Sequence, residues 1–389
     1  MKKLTLSICL LFFSTIGFSQ WTALNSGTTN DLLAIYFGDA STGYAVGLWG
    51  TILKTSNSGT TWTPQTSGTA EFLDGVYFPN ADTGYIVGGT GLILRTINGG
   101  TAWTTQTSGT TNNLRSVFFT DARHGYAVGD TGKIIKTNDA GITWSMQASG
   151  TTSWLISVYF TAADTGYAVG YNGTIIKTVN GGLNWTAQLS GTTNALQSVY
   201  FPTPTIGYAV GWGGVILKTI NGGTNWIAQS SGTTNSLRSV MAPNSSTVYV
   251  VGGNGTILKT VNGGTTWTTQ TSGISNWLNS VCFTNTNIGY AVSDAGQILK
   301  TTNGGVFVAQ NDLLDFHINI FPNPASDYLI IETTEKASIE ILNIEGQLLK
   351  RLEVNGNKTN VDISMFSSGV YIIKATTDKG ITTKRFLKE

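Results

Sequence analysis

Residues 166–185 read GYAVGYNGTIIKTVNGGLNW, and the string returns with small changes every 41 residues. The tryptophan that ends it falls at Trp21, Trp62, Trp103, Trp144, Trp185, Trp226 and Trp267, and the tyrosine near its start at Tyr44, Tyr85, Tyr126, Tyr167, Tyr208, Tyr249 and Tyr290. No insertion breaks the register. A fixed period of about 40 residues, rich in Gly and in short β-type runs, marks a propeller blade rather than a helical solenoid. The chain is therefore expected to be all-β, a seven-bladed β-propeller over residues 20–305, followed after a 306–316 linker by a small Ig-like β-sandwich over 317–389.

Each copy divides into four strand-like runs joined by turn residues. In the fourth copy these are 155–160, 166–170, 174–178 and 185–189, called A to D from here on. Strand A carries a small residue two after its leucine, at Ala34, Gly75, Ser116, Ser157, Ser198, Ser239 and Ser280. Inner strands crowd toward a propeller axis, so this reads as a packing requirement. The apolar runs in A and C predict strands buried on both faces. At the ends of the array, residues 21–24 form a D strand with no A, B or C before them, while Val308 stands where the last tryptophan should be. The first strand is expected to complete the seventh blade and remove its open edge.

The C–D turn appears as Thr55, Asn57, Gly59, Thr61, Trp62 and as Thr137, Asp139, Gly141, Thr143, Trp144. It resembles the Asp-box of sialidases and related propellers, with Asn in most copies in place of Asp. The side chain can close an Asx-turn, Gly takes the positive φ and Trp plugs between strands. The whole repeat, L-x-S-V-x-F, GYAVG-x-x-G-T-I-L-K-T and N-G-G-x-T-W, resembles the photosystem II stability and assembly factor family over about 21–305. That resemblance implies a seven-bladed, protein-binding scaffold. In the tail, Pro322-Asn-Pro324, Asn343-Ile-Glu-Gly346, Val361-Asp-Ile-Ser364, Ser368-Gly-Val-Tyr371 and the basic end at Lys384, Arg385 and Lys388 resemble the type A sorting domain of the type IX secretion system. This implies export across the outer membrane to the medium or cell surface, with the export machinery as a partner.

Residues 1–19 carry Lys2 and Lys3, then an apolar run from Leu4 to Phe13, then Gly17 and Ser19. They read as a signal peptide, the apolar run being too short to span a bilayer. Removing Lys2 and Lys3 from the 22 basic side chains leaves 20 against 21 acidic ones. A near-neutral chain has no charge with which to seek nucleic acid or an anionic membrane. Cys282 would be the single cysteine left, standing where other copies have Tyr36, Tyr77, Phe118, Tyr159 and Tyr200, so it reads as a packing residue. No transmembrane segment is expected in the mature chain.

In an A-B-C-D blade the D–A and B–C loops share one face. Positions constant among copies carry architecture, so function is sought at variable positions on that face. Just before strand A these are Asp31, Phe72, Asn113, Trp154, Ala195, Ser236 and Trp277; one residue into it they are Leu33, Asp74, Arg115, Ile156, Gln197, Arg238 and Asn279. In the B–C loop Trp49, Asp130, Tyr171, Trp212 and Asp294 stand out. Two aromatic groups result, Trp154, Tyr171 and Trp212 on blades four and five, and Trp277, Trp49 and Phe72 on blades seven, one and two, with Arg115 and Arg238 in the gaps. These eight residues are the expected site of a glycan or protein ligand, since rings offer contact area at low entropy cost. The lysine series Lys54 to Lys300, with Arg95 in the second copy, recurs in every blade and reads as structural.

A sialidase-like site fails on inventory, with two arginines on the right loops and one propeller glutamate, Glu71. A two-carboxylate glycoside hydrolase remains the alternative, drawn from Asp31, Asp74, Asp130 or Asp294, and an assembly scaffold for other exported proteins a second. His124 and His317 are isolated, so neither a metal nor a cofactor is expected. The expected function is non-catalytic binding.

Overall fold

The computed structural model describes residues 20–306, 318–377 and 380–389. The expected signal peptide, nearly all of the expected linker and His317 lie outside the described residues. The chain divides into two compact units, one spanning 19–307 and the other taking 308–389.

The first unit is seven four-stranded antiparallel sheets. Blade four shows the plan: A at Leu155–Phe160, B at Gly166–Gly170, C at Ile175–Thr178 and D at Thr186–Gln188. In the seventh blade Leu278–Phe283, Gly289–Ser293 and Ile298–Thr301 supply A to C, and the fourth strand is Thr22–Leu24 from the other end of the chain. Its register sets Thr22 opposite Lys300 and Leu24 opposite Ile298. The ring closes as the truncated first copy implied.

Burial corrects one expectation. Strand B, not A or C, is buried at every residue, whereas in A the residues Ile156, Ser157 and Tyr159 are only half-buried. The core consists of the blade-to-blade interfaces. Tyr44 of blade one stacks on Phe78 of blade two at 3.9 Å between ring centroids, and Trp103 meets Phe78 edge-on at 5.9 Å. The Tyr44 hydroxyl donates to the Gly99 carbonyl in the next blade's C–D turn at 2.8 Å, and the Lys54 ammonium shares that oxygen at 2.6 Å. The lysine ring is thus a set of blade-to-blade clamps, its cations resting over the tyrosine rings at about 5.4–5.8 Å.

The small residue of strand A does more than avoid crowding. The Ser116, Ser157, Ser198, Ser239 and Ser280 hydroxyls each accept the backbone N–H of a strand-A residue in the next blade, Val158, Val199, Val240, Val281 and Ile35, at 3.2–3.3 Å. Farther along strand A, Tyr36, Tyr77, Phe118, Tyr159 and Tyr200 run ring to ring at 4.9–5.2 Å. Cys282 continues this course, and burial pushes its thiol up to about 11. It packs like the aromatics it replaces and has little thiolate to react with.

In the C–D turn, Gly59, at φ 78°, donates its N–H to Thr55 Oγ1, and Asn57 Oδ1 accepts from both Thr55 Oγ1 and the Thr61 N–H. Asp139 makes the same bonds from Thr137 and Thr143. One side-chain oxygen is all the turn asks for, which explains Asn for Asp. Bonds from Thr143 and Thr137 hold the Asp139 carboxyl down to about 2. A depressed carboxylate stabilises the fold above its ordinary value of about 4 and loses that contribution as pH falls toward 2. Asp139→Asn is therefore expected to leave the melting temperature unchanged at pH 7. Below pH about 4 the substituted chain should melt higher than the parent, a divergence that scanning calorimetry across pH would reveal.

The second unit is a three-stranded sheet of Ile318–Phe321, Tyr328–Thr333 and Lys358–Asp362, and a four-stranded sheet of Lys336–Leu342, Leu348–Asn355, Gly369–Thr377 and Gly380–Lys388. Ile331, Ile339, Ile341, Val354, Ile373 and Phe386 fill its core. The Pro-Asn-Pro segment is pinned to the last strand, where Asn323 accepts the Leu387 N–H at 2.9 Å and donates to the Arg385 carbonyl.

Candidate functional site

Backbone chemistry ties the D–A and B–C loops together on one face. In blade four the Tyr171 N–H donates to the Trp154 carbonyl at 2.9 Å, and equivalent bonds join Trp212 to Ala195, Asp130 to Asn113 and Asp294 to Trp277. The residue between, Gly170, must be glycine, because a Cβ there would lie 1.8 Å from the Trp154 oxygen. Each pair of variable loop residues is thereby set side by side.

The second variable position owes its aim to a bulge. Strand A pairs Leu155 with Gly170 and Ser157 with Val169, so Ile156 is the extra residue, and every blade repeats the irregularity. A bulge turns its residue out of the alternation. Leu33, Asp74, Arg115, Ile156, Gln197, Arg238 and Asn279, one per blade, all line a central cavity of about 310 Å³ together with the serine ring.

Charge is unevenly spread around this ring. Arg115 binds two carboxylates, Asp74 through Nη1 at 2.8 Å and Asp130 through Nε at 2.8 Å and Nη2 at 3.1 Å. Asn113 also donates to Asp130 at 2.8 Å. Burial pushes the Asp74 carboxyl above its ordinary value, and Arg115 opposes that rise. The guanidinium lies over the Phe72 ring at 5.4 Å and over the Trp154 ring at 5.6 Å. Trp154 meets Tyr171 at 5.3 Å and Tyr171 meets Trp212 at 5.4 Å. Phe72, Arg115, Trp154, Tyr171 and Trp212 therefore form one continuous row over blades two to five.

On the far side Arg238 packs on Trp277 at 4.6 Å. Asn279 donates to Asp294 at 2.8 Å and to the Leu32 carbonyl at 2.9 Å. Asp31 accepts the Ala295 N–H at 2.7 Å. Among the described residues, no three His, Cys, Asp or Glu side chains form a group that could hold a metal ion.

Seven of the eight expected residues fall into these two arrangements, though the arginines bridge or pack on aromatics instead of standing in gaps between them. Trp49 does not join. It occupies the second residue of the B–C turn, at φ 57°, where Asn172 sits in blade four, and is 71% exposed. The turn's first residue, the place of Tyr171 and Trp212, is Leu48 in blade one. The Asp74–Arg115–Asp130 cluster is what the sequence reading left unassembled: Asp74 and Arg115 occupy the same repeat position one period apart.

Two protein families match the chain. The photosynthesis system II assembly factor YCF48 family matches residues 14–108, 146–232 and 227–302, more than half of the sequence. The chain belongs to the YCF48 family. The secretion system C-terminal sorting domain matches residues 319–389, so both the propeller and the tail readings hold. Among solved structures, a YCF48 bound to D1 peptide is 21% identical with a TM-score of 0.64, over 77% of this chain and 100% of that one. YCF48 from Cyanidioschyzon merolae is 20% identical with a TM-score of 0.62, over 72% and 98%. The GH74 enzyme of Niastella koreensis is 14% identical with a TM-score of 0.62, over 94% and 74%. At these identities the likeness is one of fold alone, shared by a peptide-bound YCF48 and an enzyme. No curated protein matches the chain.

Proposed function

We propose that this YCF48-family propeller is a non-catalytic binding module, exported through a type IX route by its sorting domain, and that it holds a glycan on the face formed by the D–A and B–C loops. The observation that carries the reading is the row from Phe72 through Arg115, Trp154 and Tyr171 to Trp212. Trp154 lines the central cavity and Trp212 packs on Tyr171, which also lines it, and the two keep 39% and 43% of their surface open. Flat apolar faces next to a few fixed polar groups suit sugar rings. The carboxylates argue against hydrolysis. A glycosidase needs two of them on opposite sides of the scissile bond, whereas Asp74 and Asp130 are both bound to one guanidinium.

Glycan-array binding by the full chain tests this. The Trp154→Ala/Trp212→Ala double variant is expected to lose tenfold or more in affinity, a loss of about 1.4 kcal/mol or more. Trp49→Ala should bind as the parent does, and no bound glycan should be cleaved. Equal binding by parent and double variant, or turnover of a bound glycan, would overturn the proposal.

A further inference from the structure

The cavity wall is chemically two-sided. Over blades two and three each carboxylate is already satisfied by Arg115 and Asn113. Over blades five and six the wall carries Gln197 and Arg238, whose Nε2 and Nε are buried with no hydrogen-bond partner among the described residues. Unpartnered nitrogens also occur at Arg95 and at repeat tryptophans such as Trp62 and Trp185, but Gln197 and Arg238 are the two such residues lining the cavity among those described. Arg238 makes no salt bridge among the described residues, and Asp74, whose charge it feels, is bonded to Arg115. Trp277 covers one face of the Arg238 guanidinium, leaving its hydrogen-bonding edge. The serine hydroxyls that accept a backbone N–H line the same cavity, and each still carries a proton to donate. A sector of donors with no acceptor attached is built for an anion, and a guanidinium edge suits the planar, two-oxygen carboxylate above all.

We propose that Arg238 and Gln197 form a carboxylate subsite and that the ligand on this face is an acidic glycan, a uronate. This rests on the binding reading above and sharpens it. A uronate joins in one rigid ring the two things the mouth offers places for, a stacking face for Trp154, Tyr171 and Trp212 and a carboxylate for the adjoining blades. A peptide fits less well. It would seek backbone partners along the strand-A edges, and the N–H groups of Val158, Val199, Val240, Val281 and Ile35 are already taken by serine hydroxyls.

The test is calorimetric titration of the full chain with galacturonate, glucuronate and mannuronate oligosaccharides, their methyl esters, neutral counterparts and a short peptide with a free C-terminal carboxylate. One uronate series is expected to bind at least tenfold more tightly than its ester, with affinity falling as salt rises. Arg238→Gln should bring acid and ester to the same affinity, while Trp212→Ala should weaken both alike. The acid-against-ester comparison on the parent chain stands even if a variant fails to fold. Equal affinity for acid and ester would remove the carboxylate subsite while leaving glycan binding intact. Binding of the free-acid peptide with no uronate bound would overturn the glycan assignment, and silence toward every glycan, neutral ones included, would sink both proposals.

Discussion

Replacing Trp21 by Ala is expected to cost about 3–5 kcal/mol and to unfasten the ring. The side chain is 1% exposed and packs edge-on against Tyr249 at 6.4 Å and Phe283 at 5.8 Å, so truncation leaves a cavity at the junction of blades six and seven. Trp185 fills the corresponding place in blade four, packed on Phe160 at 6.0 Å, and its loss should cost a similar amount. The two differ in what happens next. The D strand of blade four follows its own C strand through a short turn, so it stays close even when loosened. Thr22–Leu24 reaches its partner from the opposite end of the array and is held by three residue pairs. Without Trp21 it keeps the Thr22 bond to the Lys300 carbonyl, the bond between Thr271 and Gln20 and the packing of Leu24, but it loses its largest buried side chain, so Ile298–Thr301 opens more readily as an edge. Hydrogen exchange should therefore accelerate at the amides of Ile298–Thr301 that face the missing strand in Trp21→Ala, by more than at Ile175–Thr178 in Trp185→Ala. Unchanged protection in the seventh blade would show that the closing strand is anchored elsewhere.

That closure could be read from the sequence because it is a matter of counting: a D strand without its A, B and C at one end, and a C strand without its D at the other. The two faces were legible for the same reason, since loops alternate strictly in a meander. What a count could not show is where side chains point. Leu155-Ile-Ser-Val158 reads as part of an apolar run buried on both faces, yet the bulge at Ile156 turns a whole ring of residues inward. In the sequence Trp49 stands out beside Tyr171 as an aromatic of the B–C loop and is grouped with Trp277 and Phe72. Aligning Gly47–Gly50 on Gly170–Gly173 places Trp49 one residue late, at a positive φ that Thr, Asn, Gly and Ala occupy in other blades. The serine bonds were hidden differently, their partners lying one blade further along the chain. Residue type at that position suggested only small size, and the two copies without a hydroxyl, Ala34 and Gly75, strengthened the impression.

Arg115→Met should be the most damaging change in the cavity wall. It removes the cation shared by Asp74 and Asp130 while keeping most of the side-chain volume, so the cost is electrostatic. Breaking a buried pair by deleting one partner costs about 3–5 kcal/mol, and because Arg115 keeps 22% of its side chain accessible the lower end, about 3 kcal/mol, is expected. The pH dependence identifies the cause. In the parent chain burial already raises the Asp74 carboxyl, and Arg115 supplies the largest opposing effect. With Arg115 gone the folded-state value climbs further. A carboxyl raised in the folded state favours folding while protonated, and that advantage is lost as pH rises through its folded value. Arg115→Met should thus be most destabilised at neutral pH and recover relative to the parent in acid, whereas a packing defect would cost the same at every pH. Arg115→Lys should restore only part of the loss, since an ammonium cannot hold two carboxylates in the planar geometry of a guanidinium. The same substitution cuts the aromatic row between Phe72 and Trp154, so glycan affinity should fall with stability. Urea denaturation of parent and variants from pH 4 to 8 would decide the matter, and a deficit independent of pH would mean that Arg115 acts through packing alone.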